Sequence, residues 1–210
     1  PSPITGSPEA IGAFTRELGV AVHINEMPNE IPGAVRFSLD RAHASYDRNA
    51  VSRFHRVLLA SHDVFAHFRT AFIGKVSPVH FFWGSFDLAV TRFNGEKAPP
   101  RDGADYITRE AYSHACISHG FWCGGGLVLE PAFYAYAAPE PNGLKEAKMS
   151  PAEGFYRKDL NEFILPYEAV RSSDTPEKTL LSFLQTTYEA AADLAHWKRG
   201  DLERSFAKAA

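Results

Sequence analysis

The chain has 210 residues, 45% of them hydrophobic and 13% aromatic, which is enough to bury one substantial core. Its 22 basic and 25 acidic residues are scattered and give a formal charge of -3, so no basic surface is predicted for nucleic acid or for an anionic membrane. No run approaches the ~18 apolar residues of a membrane span, and residues 1–6 lack the features of a secretory signal, so we expect a cytoplasmic single domain over residues 1–210.

The N-terminal segment predicts a short helix followed by a strand. Ser7 is a suitable N-cap, Pro8 suits the first helical turn, and Gly19 ends the helix. Large apolar side chains then occupy every second position over residues 20–24, the period that is typical of a strand. Residues 26–44 include a turn region, and we predict that they form irregular structure.

A long amphipathic helix is predicted to begin after Asp47. Aspartate is a favourable N-cap, and apolar residues then recur at helical spacing: Val51, Phe54, Leu58, Phe65, Phe68 and Phe72. Gly74, followed by Pro78, ends this pattern. We expect the apolar stripe to face the core.

Helical spacing returns in the final third of the chain. Apolar side chains within residues 156–164 share one helical face, which predicts a helix that ends at Pro166. A second helix is predicted to start at residues 174–175, with Pro176 in its first turn, and to end at residues 198–200.

Between the helical regions, aromatic and β-branched residues predict four strands. These strands cover residues 79–83, 86–93, 112–122 and 131–138. Glycine and proline turns separate them, which favours antiparallel pairing between neighbours along the chain. The sequence therefore predicts an α+β fold, with an antiparallel sheet of about four strands and long amphipathic helices packed on one face.

Ionisable side chains lie within or beside these apolar strands, and we predict a pocket where they converge. The candidate catalytic residues are His80, Arg92, His114, Glu130, Tyr134 and Tyr136. A histidine could act as a general acid or base near neutral pH, and Arg92 could bind a carboxylate or phosphate of a small-molecule ligand. The alternative is an internal hydrogen-bond network that fixes the strand register and performs no chemistry.

A metal site is a second hypothesis. His114, Cys116, His119 and Cys123 are zinc-ligand types within one short segment, and His114 and Cys116 could bind a metal together from one strand face. The metal-ligand candidates are His80, His114 and Cys116. The spacing is unfavourable, because His119 and Cys123 would require the strand to turn at once, and we expect reduced thiols. No motif in the sequence requires a cofactor. A divalent metal is the one cofactor that we consider as an alternative.

Three classes of function remain open at this point. The leading hypothesis is a small-molecule enzyme or binding protein with its pocket on the sheet. A non-catalytic interaction domain is the alternative, in which exposed aromatics and a bare strand edge mediate partner binding or homo-oligomer formation. A metal-dependent enzyme with histidine ligands is the third.

Several strings in this sequence resemble an uncharacterised bacterial family, the domain-of-unknown-function family numbered 5996. They lie at residues 43–47, 74–93, 109–114, 120–122, 130–136 and 165–171, so the resemblance covers most of the chain. It implies that the family motifs include His43, Tyr46, Asp47, His80, Asp87, Arg92, His114, Glu130, Tyr134, Tyr136 and Glu168. It carries no established activity.

The same resemblance bears on the metal hypothesis and on the extent of the chain. Cys116, His119 and Cys123 fall outside the family pattern, which weakens the zinc hypothesis. The resemblance also implies that relatives have a β-rich N-terminal region that this chain lacks, so we expect either a fragment or a shortened version of the family domain.

Overall fold

The computed structural model describes residues 47–82, 85–125 and 127–204. The helix and strand predicted for residues 7–24 lie outside the described residues, as do His43 and Tyr46. Contacts group the described residues from 51 onward into one compact unit. The single domain over residues 1–210 stays a prediction.

The first long helix begins and ends close to its predicted bounds. Helix α1 spans Arg48–Thr70. The Asp47 side chain accepts hydrogen bonds from the backbone amides of Asn49 and Ala50 at 2.8 and 3.0 Å, which satisfies two of the free donors at the helix start. The aromatic stripe is buried at Phe65 and Phe68, as the helical spacing predicts.

Within the described residues, a single antiparallel sheet of six strands forms the other layer. The strands are β1 (His80–Phe82), β2 (Asp87–Lys97), β3 (His114–Trp122), β4 (Ala132–Ala138), β5 (Phe155–Arg157) and β6 (Glu162–Pro166). Their spatial order is β1-β2-β3-β4-β6-β5. The predicted mixture of helices with an antiparallel sheet is confirmed, and the predicted number of strands is too low.

The two additional strands come from a segment that we predicted to be a helix. Strands β5 and β6 form a hairpin, whose turn includes a hydrogen bond from the Leu160 amide to the Arg157 carbonyl. Asn161 adopts a left-handed φ of 57°, a conformation that asparagine tolerates better than most residues. The helical spacing of the apolar residues here is coincidental, because Tyr156 pairs with Phe163 across the hairpin.

The other helical elements of the described segments are mostly short. They are α2 (Tyr106–Ala111), a 3-10 turn at Leu144–Glu146, α3 (Tyr167–Arg171), α4 (Pro176–Leu194) and α5 (Arg199–Leu202). Helix α4 is the predicted second long helix and starts with the predicted Pro176, but it ends before residues 198–200. None of the described helices is both long and apolar enough to cross a bilayer.

Strand alternation gives the sheet two chemically different faces. One face packs against α1 and α4 and forms the core, with Leu88, Val90, Ile117, Phe121, Phe133, Phe163, Leu165, Phe183 and Leu184 among its buried members. Each such side chain contributes about 1.5–3 kcal/mol by burial. The opposite face, which we call the Asp87 face, carries Asp87, Ala89, Thr91, Ser118, Gly120, Trp122, Tyr134, Tyr136, Glu162 and Ile164.

Candidate functional site

The Asp87 face carries a cavity with a volume of about 410 Å³. It is lined by Ser85, Asp87, Tyr112, Trp122, Val128, Ala132, Tyr134, Tyr136, Leu160, Glu162 and Ile164. An adjoining cavity of about 380 Å³ shares Ser85, Asp87, Tyr112, Tyr134 and Tyr136 with the first. Mostly apolar walls with a few converging polar groups are typical of small-molecule sites.

Asp87 is the buried acid at the centre of these two cavities. It is the first residue of β2, and only 8% of its surface is exposed. The Ser85 hydroxyl donates a hydrogen bond to one of its carboxylate oxygens, and the Tyr134 hydroxyl donates to the other. These two donors hold the carboxylate in a fixed orientation and offset the cost of its burial.

Tyr134 reaches Asp87 because the neighbouring strand has a glycine in its path. Gly120 is the register partner of Tyr134, and a Cβ added to Gly120 would lie 2.2 Å from a Tyr134 ring carbon. The Tyr134 ring therefore lies across β3, stacked beside the Tyr136 ring with centroids 6.1 Å apart. Burial, and then the negative charge of Asp87, raise the pKa of the Tyr134 phenol, which keeps it a hydrogen-bond donor.

Tyr112 and Tyr136 form the next part of the wall. Their hydroxyls are 3.0 Å apart and hydrogen-bonded. Burial raises the pKa of Tyr136, and the hydrogen bond to Tyr112 adds to the effect. The Arg101 guanidinium lies over the Tyr112 ring at 4.0 Å from its centroid. Tyr112 thus contacts the cavity wall through its hydroxyl and a cation through its ring.

Glu162 supplies the second carboxyl group of the cavity. It is the first residue of β6 and lies on the Asp87 face. Burial, and then the negative charge of Asp87, raise the pKa of Glu162 to about 7. Its register partner, Arg157, forms hydrogen bonds of 2.9 and 3.0 Å with Asp159. Glu162 can therefore hold or release a proton near neutral pH, as a general acid or base must.

Of the residues predicted to converge, the structure brings Tyr134 and Tyr136 together and places Arg92 on the opposite face. Arg92 alternates with Asp87 along β2, so it points into the core and is 1% exposed. Its guanidinium carbon lies 3.5 Å from the centroid of the Phe68 ring, and Nη2 donates to the Phe68 carbonyl at 2.5 Å. The prediction that Arg92 and the two tyrosines share one pocket is therefore wrong, because Arg92 lies in the core on the other side of the sheet.

The other three predicted residues lie away from Glu162. His80 is exposed on the edge strand β1, where its ring meets the Phe82 ring edge-on. His114 begins β3 and lines a different cavity. Glu130 is exposed in the loop before β4. None of these side chains lines either cavity of the Asp87 face in the described parts of the chain.

The zinc tetrad is divided between the two faces of the sheet. Cys116 lies on the Asp87 face, where burial raises the pKa of its thiol to about 11. His119 lies on the core face with 0% exposure, its Nε2 is 3.1 Å from the Thr187 hydroxyl, and burial lowers its pKa to about 3. Within residues 47–82, 85–125 and 127–204, no three His, Cys, Asp or Glu side chains form a group that could hold a metal ion.

The two carboxyl groups of the cavity were not predicted as site residues from the sequence. Asp87 appeared there only as a member of a family motif, and Glu162 was hidden within the predicted helix over residues 156–166. The signal for Glu162 is its alternation with Ile164 in a short strand. Recognising that strand from the turn at Asn161 would have placed a carboxyl group on one face of the sheet.

The predicted family resemblance is confirmed by a comparison with protein-family models. Residues 7–204 match the model of a family of unknown function, DUF5996. Comparisons with curated proteins and with solved structures found no match. The family match spans all six strands and both long helices, including Asp87 and Glu162. The chain therefore belongs to the DUF5996 family of unknown function.

Proposed function

We propose that the cavity on the Asp87 face binds a small organic molecule and that Glu162 exchanges a proton with it. The observation that carries this proposal is a carboxyl group with a pKa of about 7 inside a cavity of about 410 Å³. A general acid or base works best when its pKa is close to the ambient pH, because both protonation states are then available. Burial and a like charge are the usual causes of such a pKa.

The lining of the cavity indicates which chemistry the ligand presents to Glu162. The lining contains the carboxyl groups of Asp87 and Glu162 and, among the described residues, no Lys, Arg or His. An anionic group next to them would be repelled, so the part of the ligand bound here is neutral or cationic. The rings of Trp122, Tyr134 and Tyr136 offer flat surfaces for stacking or for a cation.

The acid–base part of the proposal is tested by titrating Glu162 directly. We expect the carboxyl carbon resonance of Glu162 to titrate with a midpoint near pH 7 in nuclear magnetic resonance spectra. Asp87→Asn should lower this midpoint, because it removes the neighbouring negative charge that raises the pKa of Glu162. Glu153→Gln, in an exposed loop, is the matched control and should leave the midpoint unchanged.

The binding part is tested with a panel of neutral and cationic small molecules. Binders should shift resonances of Trp122 and Tyr136, and their affinity should depend on pH with the midpoint of Glu162. Glu162→Gln should abolish that pH dependence. A midpoint near 4.5 for Glu162, or binders whose shifts map to the core face, would contradict the proposal.

The raised pKa of Glu162 also predicts how stability depends on pH. The unfolded glutamate titrates near 4.5 and the folded one near 7, so the folded state binds the proton more tightly. The resulting stabilisation is complete below about pH 4.5 and is lost as the pH rises through 7. Glu162→Gln should match the wild type at pH 4 and be more stable by about 1–2 kcal/mol at pH 8, after allowance for solvent screening. Urea denaturation at both pH values measures this difference.

Two further expectations from the sequence extend the proposal. We also propose a cytoplasmic location, where the free thiols of Cys116 and Cys123 would stay reduced. The predicted homo-oligomer stays a prediction, and sedimentation across a range of concentrations would test it.

A further inference from the structure

A third cavity, of about 390 Å³, lies beside the loop that follows β2. The residues that line it come from that loop, from α2 and from the start of β3. Several of them are basic. Its charged side chains are Lys97, Arg101, Asp102 and Arg109, and its one histidine is His114. The three formal cations outnumber the single carboxylate, which leaves two positive charges in excess even when His114 is neutral.

These cations are available to a ligand. Lys97, Arg101 and Arg109 are exposed, and in the part of the chain that the structure describes none of them forms an ion pair with a carboxylate. Two are already held in position. Arg101 stacks on the Tyr112 ring, and Nη1 of Arg109 donates to the Ala104 carbonyl at 2.7 Å. A guanidinium fixed in this way loses little conformational freedom when it binds an anion.

We propose that this third cavity binds a phosphate group. A phosphate monoester carries a charge of about −1.5 to −2 at pH 7, which matches the excess positive charge of the lining. Its three acceptor oxygens can be shared among the two guanidinium groups and the Lys97 ammonium. A monocarboxylate would neutralise only part of that charge and offers fewer acceptors.

Tyr112 connects this phosphate site to the cavity that contains Glu162. It lines both cavities, its ring contacts Arg101, and its hydroxyl is bonded to Tyr136. The phosphate therefore belongs to a molecule whose neutral or cationic remainder extends past Tyr112 toward Glu162. The ligand class is a small organic phosphate ester. This last step rests on the proposed function, whereas the phosphate site does not.

The phosphate site is tested by titrating inorganic phosphate into the full chain at low salt. Backbone resonances of Tyr112 and His114 should shift, and the affinity should fall as sodium chloride is added. Arg101→Gln should weaken binding by about tenfold, because it removes a charge-assisted contact. Lys148→Gln, an exposed lysine outside the lining, is the matched control and should change the affinity less than twofold.

The results separate this inference from the proposed function. Absence of phosphate shifts, or an unchanged affinity in Arg101→Gln, overturns the phosphate site even when Glu162 titrates near 7. Phosphate binding together with a Glu162 midpoint near 4.5 overturns the proposed function alone. Phenyl phosphate should bind more tightly than inorganic phosphate and should also shift the resonances of Tyr136. Equal affinities would overturn the inference that one ligand occupies both the phosphate site and the cavity that contains Glu162.

Discussion

Replacing Arg92 with alanine is expected to destabilise the protein by about 3–5 kcal/mol. The guanidinium is buried among aromatic rings, with its central carbon 3.5 Å from the Phe68 centroid, 4.2 Å from the Tyr188 centroid and 5.1 Å from the Phe72 centroid. Alanine would leave a large cavity and remove the hydrogen bond to the Phe68 carbonyl. Burial lowers the pKa of Arg92 to about 10, so the side chain stays protonated at neutral pH.

Arg92→Met separates packing from charge in this position. Methionine fills much of the same volume, and it also removes a buried cation whose Nε has no hydrogen-bond partner among the described residues. We therefore expect Arg92→Met to lose much less stability than Arg92→Ala in guanidinium denaturation. Equal losses in the two variants would show that the charge matters more than packing, and a loss below about 1 kcal/mol in Arg92→Ala would contradict the structural role.

The elements that could be predicted from sequence are those whose signals are local. Helix α1 has an aspartate cap and an apolar stripe over many turns, and α4 has Pro176 in its first turn. Both helices are long enough that a helical repeat of apolar residues over several turns rarely arises by chance. The β5–β6 hairpin has strands of only 3 and 5 residues, so its apolar residues fit either period. Its pairing with β4 is a long-range contact that the local pattern does not contain.

The candidate site was harder to predict because it depends on which face of the sheet the helices cover. Alternation correctly groups Arg92 with Leu88 and Val90, and Tyr134 with Tyr136. It does not say which faces of separate strands lie together in the sheet, so it could not show that Arg92 and the two tyrosines lie on opposite faces. The helices cover the more apolar side of β2, and this buries Arg92 because it follows Leu88 and Val90 in alternation.

The Asp87 face should be most sensitive to a change at Gly120. Gly120→Ala is expected to destabilise the protein by about 2–4 kcal/mol, because the new Cβ would lie 2.2 Å from a Tyr134 ring carbon and 2.3 Å from its hydroxyl oxygen. The ring cannot move aside freely, since its hydroxyl is bonded to Asp87. Gly200→Ala is the control: apart from its chain neighbours and the backbone of its own helix, no atom lies within 4 Å of the added Cβ, and we expect no loss of stability there.

A double-mutant cycle between Gly120 and Tyr134 distinguishes this clash from a general intolerance of strand β3 to substitution. Once Tyr134 is alanine, the space over Gly120 is vacant, so adding Gly120→Ala should cost less than about 1 kcal/mol. The Glu162 midpoint should also change in Gly120→Ala, because a displaced Tyr134 leaves Asp87 with one fewer donor and alters the charge that Glu162 experiences. Additive losses with an unchanged midpoint would mean that Tyr134 is not held over β3 by the missing side chain. A strong coupling would instead make a glycine of β3 responsible for the position of a carboxylate that lies three strands away from Glu162 in the sheet.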